Sequence, residues 1–410
     1  MFYFAYISSF IIAICFIGFR LRKPDLLTMT ILGTAYYSSS LLFGEVYDPD
    51  IGKYVDINDF IYAFYALLLI LFTFATFIND SVLKRQTYIN EMEIPQMYFY
   101  FLIVILTFIF LGLNLVDSRT FFPDEVGGFS ASSYSSIYNI YWVSTLLLVT
   151  GAFKGNSNFL KLASIFFLLT TLLAGSRAYF LAGCFIALLM IYENKSPIRL
   201  FLSFKRLFVM IFGFIFLIVY KNIYQYLLML DLNLLFEAST DFDLILFRLT
   251  KGSESVVILN FQHAITLFEQ EAGSFIDLVL MKCIPFISEL YILGFDYDMR
   301  TFSDILNENF YQTVSYGMAS SFWGLFYYVS GPLGSIFISF LYVLAILYLN
   351  RRIKRKDMFG FHLVPAAIFI GFYLTRLEIG PVLFPFYMSI LILFTYKILY
   401  TVLPKKLPHD

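Results

Sequence analysis

Residues 159–192 read FLKLASIFFLLTTLLAGSRAYFLAGCFIALLMIY, two apolar runs separated only by Gly175, Ser176 and Arg177. Each run approaches the ~17 to 25 residues that cross a hydrocarbon core as a helix. Three polar residues leave no room for a loop, so the two runs read as antiparallel spans joined by a tight turn. An arginine there costs about 2.5–3.5 kcal/mol unless headgroups, a partner or a wet cavity receive it. Arg177 is therefore either a snorkelling residue or part of a site.

The same pattern of apolar blocks and short polar breaks runs through the chain. Of 410 residues, 60% are hydrophobic, 20% aromatic and only 14% charged, against about 25% charged in soluble domains. The reading is an all-α polytopic membrane protein with about eleven transmembrane helices, over 2–19, 26–44, 60–78, 97–115, 137–153, 159–174, 178–192, 207–227, 332–349, 361–376 and 379–401. The chain divides into a first set of spans (1–227), one large periplasmic loop with amphipathic helices (228–331), and three spans with a tail (332–410). Met1–Phe10 has no basic flank and no small-residue cleavage site, so the first block reads as a retained span.

Most of the 28 basic residues gather at alternate breaks: RLRKPD, SVLKRQ, KGNSN, ENKSPIRLFLSFKR, RRIKRKD and the PKKLPHD tail. Lys and Arg are retained on the cytoplasmic side of short loops, which puts the N-terminus outside and the C-terminus inside. The elaborated material then faces outward: EVYDPDIGKYVDIND, VDSRTFFPDEVGGFSASSYSS and the long segment between Tyr226 and Gly331. A net charge of −1 with dispersed basic residues disfavours a nucleic-acid surface. Neither GxxxxGK[ST] nor GxGxxG is present, which disfavours cytoplasmic nucleotide chemistry. Cys15, Cys184 and Cys283 show no CxxC spacing and suggest no disulfide framework.

Arg376, in FYLTRLEIGPVLF, occupies an outer break of the same kind as Arg177, with Glu378 as its bland partner. Arg248 stands in DFDLILFRLTKGSESVVILNFQHAITLFEQ, where a helix is readable. On its wheel Arg248, Lys251, Ser255, Gln262, His263, Thr266 and Glu269 form one stripe opposite Leu, Ile, Val and Phe. The stripe faces either water or a cavity mouth. Three outer arginines suit an anionic ligand, because guanidinium is a planar fork of donors that matches phosphate and stays charged. In a water-poor site they would also stabilise charge appearing on a diphosphate leaving group.

Weaker constellations accompany these. Asp48/Asp50, Asp241/Asp243 and Asp296/Asp298 have DxD spacing, the pattern of a metal-dependent glycosyltransferase, but such short matches arise easily in loops. His263 is the one histidine on the outer side; a lone histidine is usually structural, although a base near neutrality is what activation of a sugar hydroxyl needs. Tyr291, Tyr297, Tyr311, Tyr316 and Trp323 offer rings for sugar faces, in a chain so aromatic that it supplies them by chance.

The segment NENFYQTVSYGMASSFWGLFYYVSGPLGSIF (307–337), with LFRLTKGSES, KCIPFISEL and LLAGSRAYFLAG upstream, resembles the bacterial O-antigen polymerase (Wzy) family of oligosaccharide repeat-unit polymerases. The matching positions are Gly175-Ser176-Arg177, Arg248, Gly317, Ser320 or Ser321, Tyr327 or Tyr328, Gly331 and Gly334. The chain departs from the family where Gly324 or Leu325 stands in place of a frequent acidic residue. The resemblance implies a multi-pass inner-membrane glycosyltransferase without metal or other cofactor. Its substrate would be oligosaccharide on undecaprenyl diphosphate, and its partners membrane lipids, a chain-length regulator and a flippase, with no nucleic acid. Arg177, Arg248 and Arg376 would bind the diphosphate, His263 or Glu308 would be the base, and Lys251, Ser255, Tyr311, Tyr316, Ser320 and Tyr328 would line the substrate path. The O-antigen ligase is the nearest rival. A lipid-linked oligosaccharide flippase is the rival from another class, but it would place charges along helix middles rather than carry a long outer loop.

Overall fold

The computed structural model describes residues 1–20, 25–48, 51–83, 95–116, 135–154, 157–174, 177–192, 253–284, 300–311, 321–353, 358–376 and 379–402. The first two spans are α1 (Phe2–Arg20) and α2 (Leu26–Ser38), and a 3-10 turn Ser39–Phe43 extends α2. A short antiparallel hairpin, β1 (Glu45–Asp48) and β2 (Lys53–Asp56), leads to α3 (Asp59–Leu83). Then come α4 (Gln96–Val116), α5 (Ser135–Lys154), α6 (Asn158–Leu173) and α7 (Arg177–Tyr192). Past the next undescribed stretch lie α8 (Ser253–Gln270), the short α9 (Phe302–Phe310), α10 (Phe322–Ile353), α11 (Met358–Ile368) and α12 (Ile379–Val402).

Among the described residues, six helices are long and apolar enough to cross a membrane, and four shorter apolar helices accompany them. Each coincides with an expected span, while the eleventh, 207–227, lies outside the described residues. The protein is thus a helical bundle of multi-pass membrane type. Large apolar side chains stand exposed on its outside, Phe108 at 79% and Leu115 at 87% on α4, as a lipid-facing surface requires. Several hydroxyls within the spans bond the carbonyl four residues back, as Thr73 does to Leu69 and Thr76 to Phe72, and so are satisfied inside their own helix.

Local signals set several helix starts. Asp25 caps α2 by accepting from the Thr28 amide at 3.0 Å and also accepts from Asn350 Nδ2 at 3.2 Å, tying α2 to the end of α10. Thr301 and Asp304 form a capping box that starts α9. At one end of the bundle, which we call the hairpin end, Tyr3 donates to the Leu42 carbonyl (2.8 Å) and Tyr62 to the Gly44 carbonyl (2.9 Å). The Asn58 amide there donates to Gln262 Oε1 of α8 at 2.9 Å.

Two differences from the sequence expectation stand out. Segments read as parts of an outer loop, α8 and Phe322–Tyr327, share one core with α1, α2 and α3. The reason is their apolar content: Val257, Ile258, Leu259, Phe261, Ala264, Trp323, Leu325 and Phe326 are all buried. The second concerns α10, expected to start at 332 but helical from Phe322. A straight helix would separate Phe322 from Tyr342 by about 30 Å. Their ring centroids are 6.3 Å apart, and those of Trp323 and Tyr342 are 5.5 Å apart. The chain therefore folds back on itself at Gly331 (φ 69°, ψ −169°), followed by Pro332 at the first position of the new helix. One arm, Phe322–Ser330, climbs toward the hairpin end beside α3, with Trp323 against Phe64 and Tyr327 against Phe60. The other arm, Pro332–Ile353, is the span that the sequence places there.

After α11 the helix widens into a π turn, Phe369–Tyr373, and tightens into a 3-10 turn, Leu374–Arg376. The widening presses the chain against α2: a Cβ on Gly33 would lie 2.6 Å from the Phe372 carbonyl oxygen and 2.9 Å from its Cα. Both obstacles are backbone, so they cannot rotate away. Gly33→Ala is expected to separate α2 from the π turn and lower the melting temperature of the purified protein, by the usual cost of overpacking, about 1–3 kcal/mol. An unchanged melting curve would contradict this contact.

Candidate functional site

The site is built where the Arg177 turn and the Arg376 turn meet. Arg177 opens α7 and Arg376 closes the 3-10 turn that follows α11. The Tyr373 hydroxyl donates to the Ala178 carbonyl at 3.0 Å, which ties the residue after Arg177 to the end of the π turn three residues before Arg376. Arg376 is half-buried and lies near enough to the Tyr373 phenol for its charge to act there. The 3-10 turn that carries Arg376 also packs on α8, α2 and the fold-back helix α10. The start of α7 and the π turn that leads to Arg376 thus meet at the hairpin end, beside the helix that carries the polar stripe. Arg248, Lys251, Tyr316 and Ser320 lie outside the described residues, as do Glu378 and the second members of the DxD pairs.

An aromatic wall separates the two turns, and sequence reading did not single it out. Trp142 stacks on Tyr179 (4.5 Å, 29°), Tyr179 meets Phe369 (4.7 Å), and Phe369 meets Tyr373 (5.2 Å). Tyr179 also donates to Asn139 Oδ1 at 3.4 Å. Phe369 and Tyr373 are buried, so these rings pack the start of α7 against α5 and the π turn. In a chain that is 20% aromatic, only tertiary contact separates these rings from the rest.

The stripe on α8 is graded rather than uniformly wet. Ser255 lies in its first turn, Gln262 holds the hairpin, Thr266 bonds back toward Gln262, and Glu269 is exposed. His263 is half-buried: its ring stacks on Phe310 (3.9 Å, 12°) and meets Tyr311 edge-on (5.5 Å). Its Nε2 is buried with no hydrogen-bond partner. Burial holds the imidazole below the ordinary histidine value, at about 4, against the opposing pull of the Asp48 carboxylate on β1. At neutral pH the ring is therefore uncharged and able to accept a proton, as a weak base covered by Phe310. Because the folded value lies below the unfolded one, stability from this group is complete above about 6.5 and is lost as pH falls toward 4. His263→Phe is expected to lose less melting temperature than the parent between pH 7 and pH 4.5. Equal losses would count against the buried neutral imidazole.

Two expected substrate contacts, Tyr311 and Tyr328, the alternative base Glu308 and the aromatic Trp323 make other contacts here. Tyr311 is buried and donates to Asn260 Oδ1 at 2.6 Å, so its ring is packing rather than a sugar platform. Tyr328 stacks on Phe302 (5.7 Å, 28°), and its carbonyl accepts from the Gly273 amide at 3.0 Å, which pins the chain after α8 to α10. Glu308 is an exposed side chain 3.9 Å from Arg300, an ion pair of the weak surface kind. Trp323 is likewise buried, against Phe64 and Tyr342. Among the described residues no three His, Cys, Asp or Glu side chains are grouped to hold a metal ion.

Compared with protein-family models, curated proteins and solved structures, the chain matches none.

Proposed function

We propose that the protein is a membrane glycosyltransferase that polymerises oligosaccharide repeat units carried on undecaprenyl diphosphate, on the periplasmic face of a bacterial inner membrane. One observation carries this reading: the joining of the Arg177 and Arg376 turns through Tyr373 and Ala178, beside α8. Two arginine positions on elements that meet at one end of an apolar bundle suit a ligand that is part diphosphate and part polyprenyl chain. The bias of basic residues toward the opposite breaks makes the hairpin end periplasmic.

In the reaction a hydroxyl oxygen of the incoming lipid-linked repeat attacks the anomeric carbon of the growing chain. The bond from that carbon to the diphosphate breaks, and its electron pair leaves with undecaprenyl diphosphate. Arg177 and Arg376 stabilise the charge that appears on the leaving group. The hydroxyl proton passes to a base. His263 fits that role better than Glu308, since its neutral imidazole has an unpartnered nitrogen whereas Glu308 is paired and solvated. Before it acts, Phe310 must uncover it.

Deletion of the gene and gel analysis of the surface polysaccharide test this function. A polymerase predicts that the ladder collapses to core carrying a single repeat unit. Core with no repeat at all would point instead to a ligase or a flippase.

A further inference from the structure

At the end of the bundle opposite the hairpin, four buried side chains on three helices carry polar atoms with no partner. They are Tyr98 Oη on α4, both ring nitrogens of His362 on α11, and Ser389 Oγ and Tyr396 Oη on α12. All four are deeply enclosed, with exposures of 0% for Tyr98, 2% for His362, 1% for Ser389 and 8% for Tyr396. They lie together. The Tyr98 ring is 5.4 Å from His362 and 4.8 Å from Tyr396. The Ser389 backbone lies beside the imidazole. Pro365 adds an acceptor, because its missing N–H leaves the Phe361 carbonyl without its helical donor.

Orphaned buried polar atoms are unfavourable one at a time, and several in contact are worse. Isolated cases in a bundle are absorbed as strain. A cluster that holds two phenols, a hydroxyl, an imidazole and a freed carbonyl offers the two to four partners that an enclosed water molecule needs. An apolar ligand would leave these atoms unmatched. Access also has a route: Tyr396 meets Tyr400 at 5.9 Å, and Tyr400 is exposed near the end of α12.

We propose that Tyr98, His362, Ser389 and Tyr396 form a binding site for ordered water inside the bundle, reached from the end of α12. Water there bridges α4, α11 and α12 and completes hydrogen bonds that the helices cannot make among themselves. The site is separate from the arginine turns and does not depend on what they bind.

Radiolytic footprinting of the full-length protein in lipid nanodiscs tests this, because radicals formed from bound water label the rings beside it. Tyr141 is the dry control, buried with its hydroxyl on Thr170. Tyr98 and Tyr396 are expected to be labelled several-fold faster than Tyr141. His362→Phe should remove the difference by taking away the two nitrogens that hold the water. If that variant does not fold, Tyr98→Phe, which keeps the ring, should lower the labelling of Tyr396 in the same way. Labelling of Tyr98 and Tyr396 at the Tyr141 rate in the parent protein would overturn the proposal, as would labelling that neither variant changes.

Discussion

Alanine at Arg177 or at Arg376 is expected to stop chain extension by the purified protein supplied with lipid-linked repeat units, leaving the fold intact. Loss of one preorganised group that stabilises leaving-group charge costs about 10²- to 10³-fold in rate. Arg177 opens a helix and Arg376 ends a turn, so neither truncation interrupts the middle of a span. Lysine is the informative replacement. It keeps the charge but loses the planar fork, so Arg376→Lys should retain more activity than Arg376→Ala and less than the parent. The snorkelling alternative predicts something different: lysine would then serve as well as arginine, and alanine would change melting temperature more than rate. Tyr373→Phe separates the two accounts further. It removes the hydroxyl that holds the Ala178 carbonyl but neither charge, so it should lower the rate modestly through misplacement. Full extension by both alanine variants would end the diphosphate assignment.

The reason for joint effects is geometric. Arg177 and Arg376 are far apart in the chain but meet through Tyr373, so their truncations should not be additive. An Arg177→Ala/Arg376→Ala pair losing little more than either alone would indicate that both groups act on one diphosphate. Losses that multiply would place them on separate carriers, donor and acceptor.

These arginines were legible from the sequence because an ion beside a span is costly, and both stand in breaks too short for loops. Their meeting was not legible, since it depends on a π turn that swings Tyr373 toward α7. The spans were legible for a similarly local reason: apolar blocks of crossing length need no knowledge of their neighbours. The fold-back of α10 shows where that logic stops. Gly331-Pro332 signals a new helix start, yet FWGLFYYVS before it is an apolar run whose direction of packing is a tertiary matter. The contacts of Tyr311 and Tyr328 were not legible for the same cause. Nothing local distinguishes a tyrosine that stacks on sugar from one whose hydroxyl is taken by a buried asparagine.

Alanine at Gly331 is expected to be the most damaging single-methyl change in the chain. The backbone there has φ 69° and ψ −169°, a region that residues with a Cβ adopt only at a cost of about 1–3 kcal/mol. A Cβ would also lie 2.7 Å from Cζ of Phe268, whose ring packs on Tyr327. Relief by a straighter helix is not available. It would pull Phe322 and Trp323 away from Tyr342 and uncover Phe64 and Phe261, the contacts that seat α8. Gly331→Ala should therefore lower both melting temperature and chain extension, because α8 packs on the turn that carries Arg376. The two causes can be separated. Phe268→Leu removes the clashing ring atom, so Gly331→Ala/Phe268→Leu should regain part of the lost stability while the backbone strain remains. Complete recovery would assign the whole effect to the clash, and no recovery would assign it to the backbone. A Gly331→Ala protein that melts with the parent would mean that the chain does not fold back at this residue, and the packing of α8 against α10 would have to be drawn again.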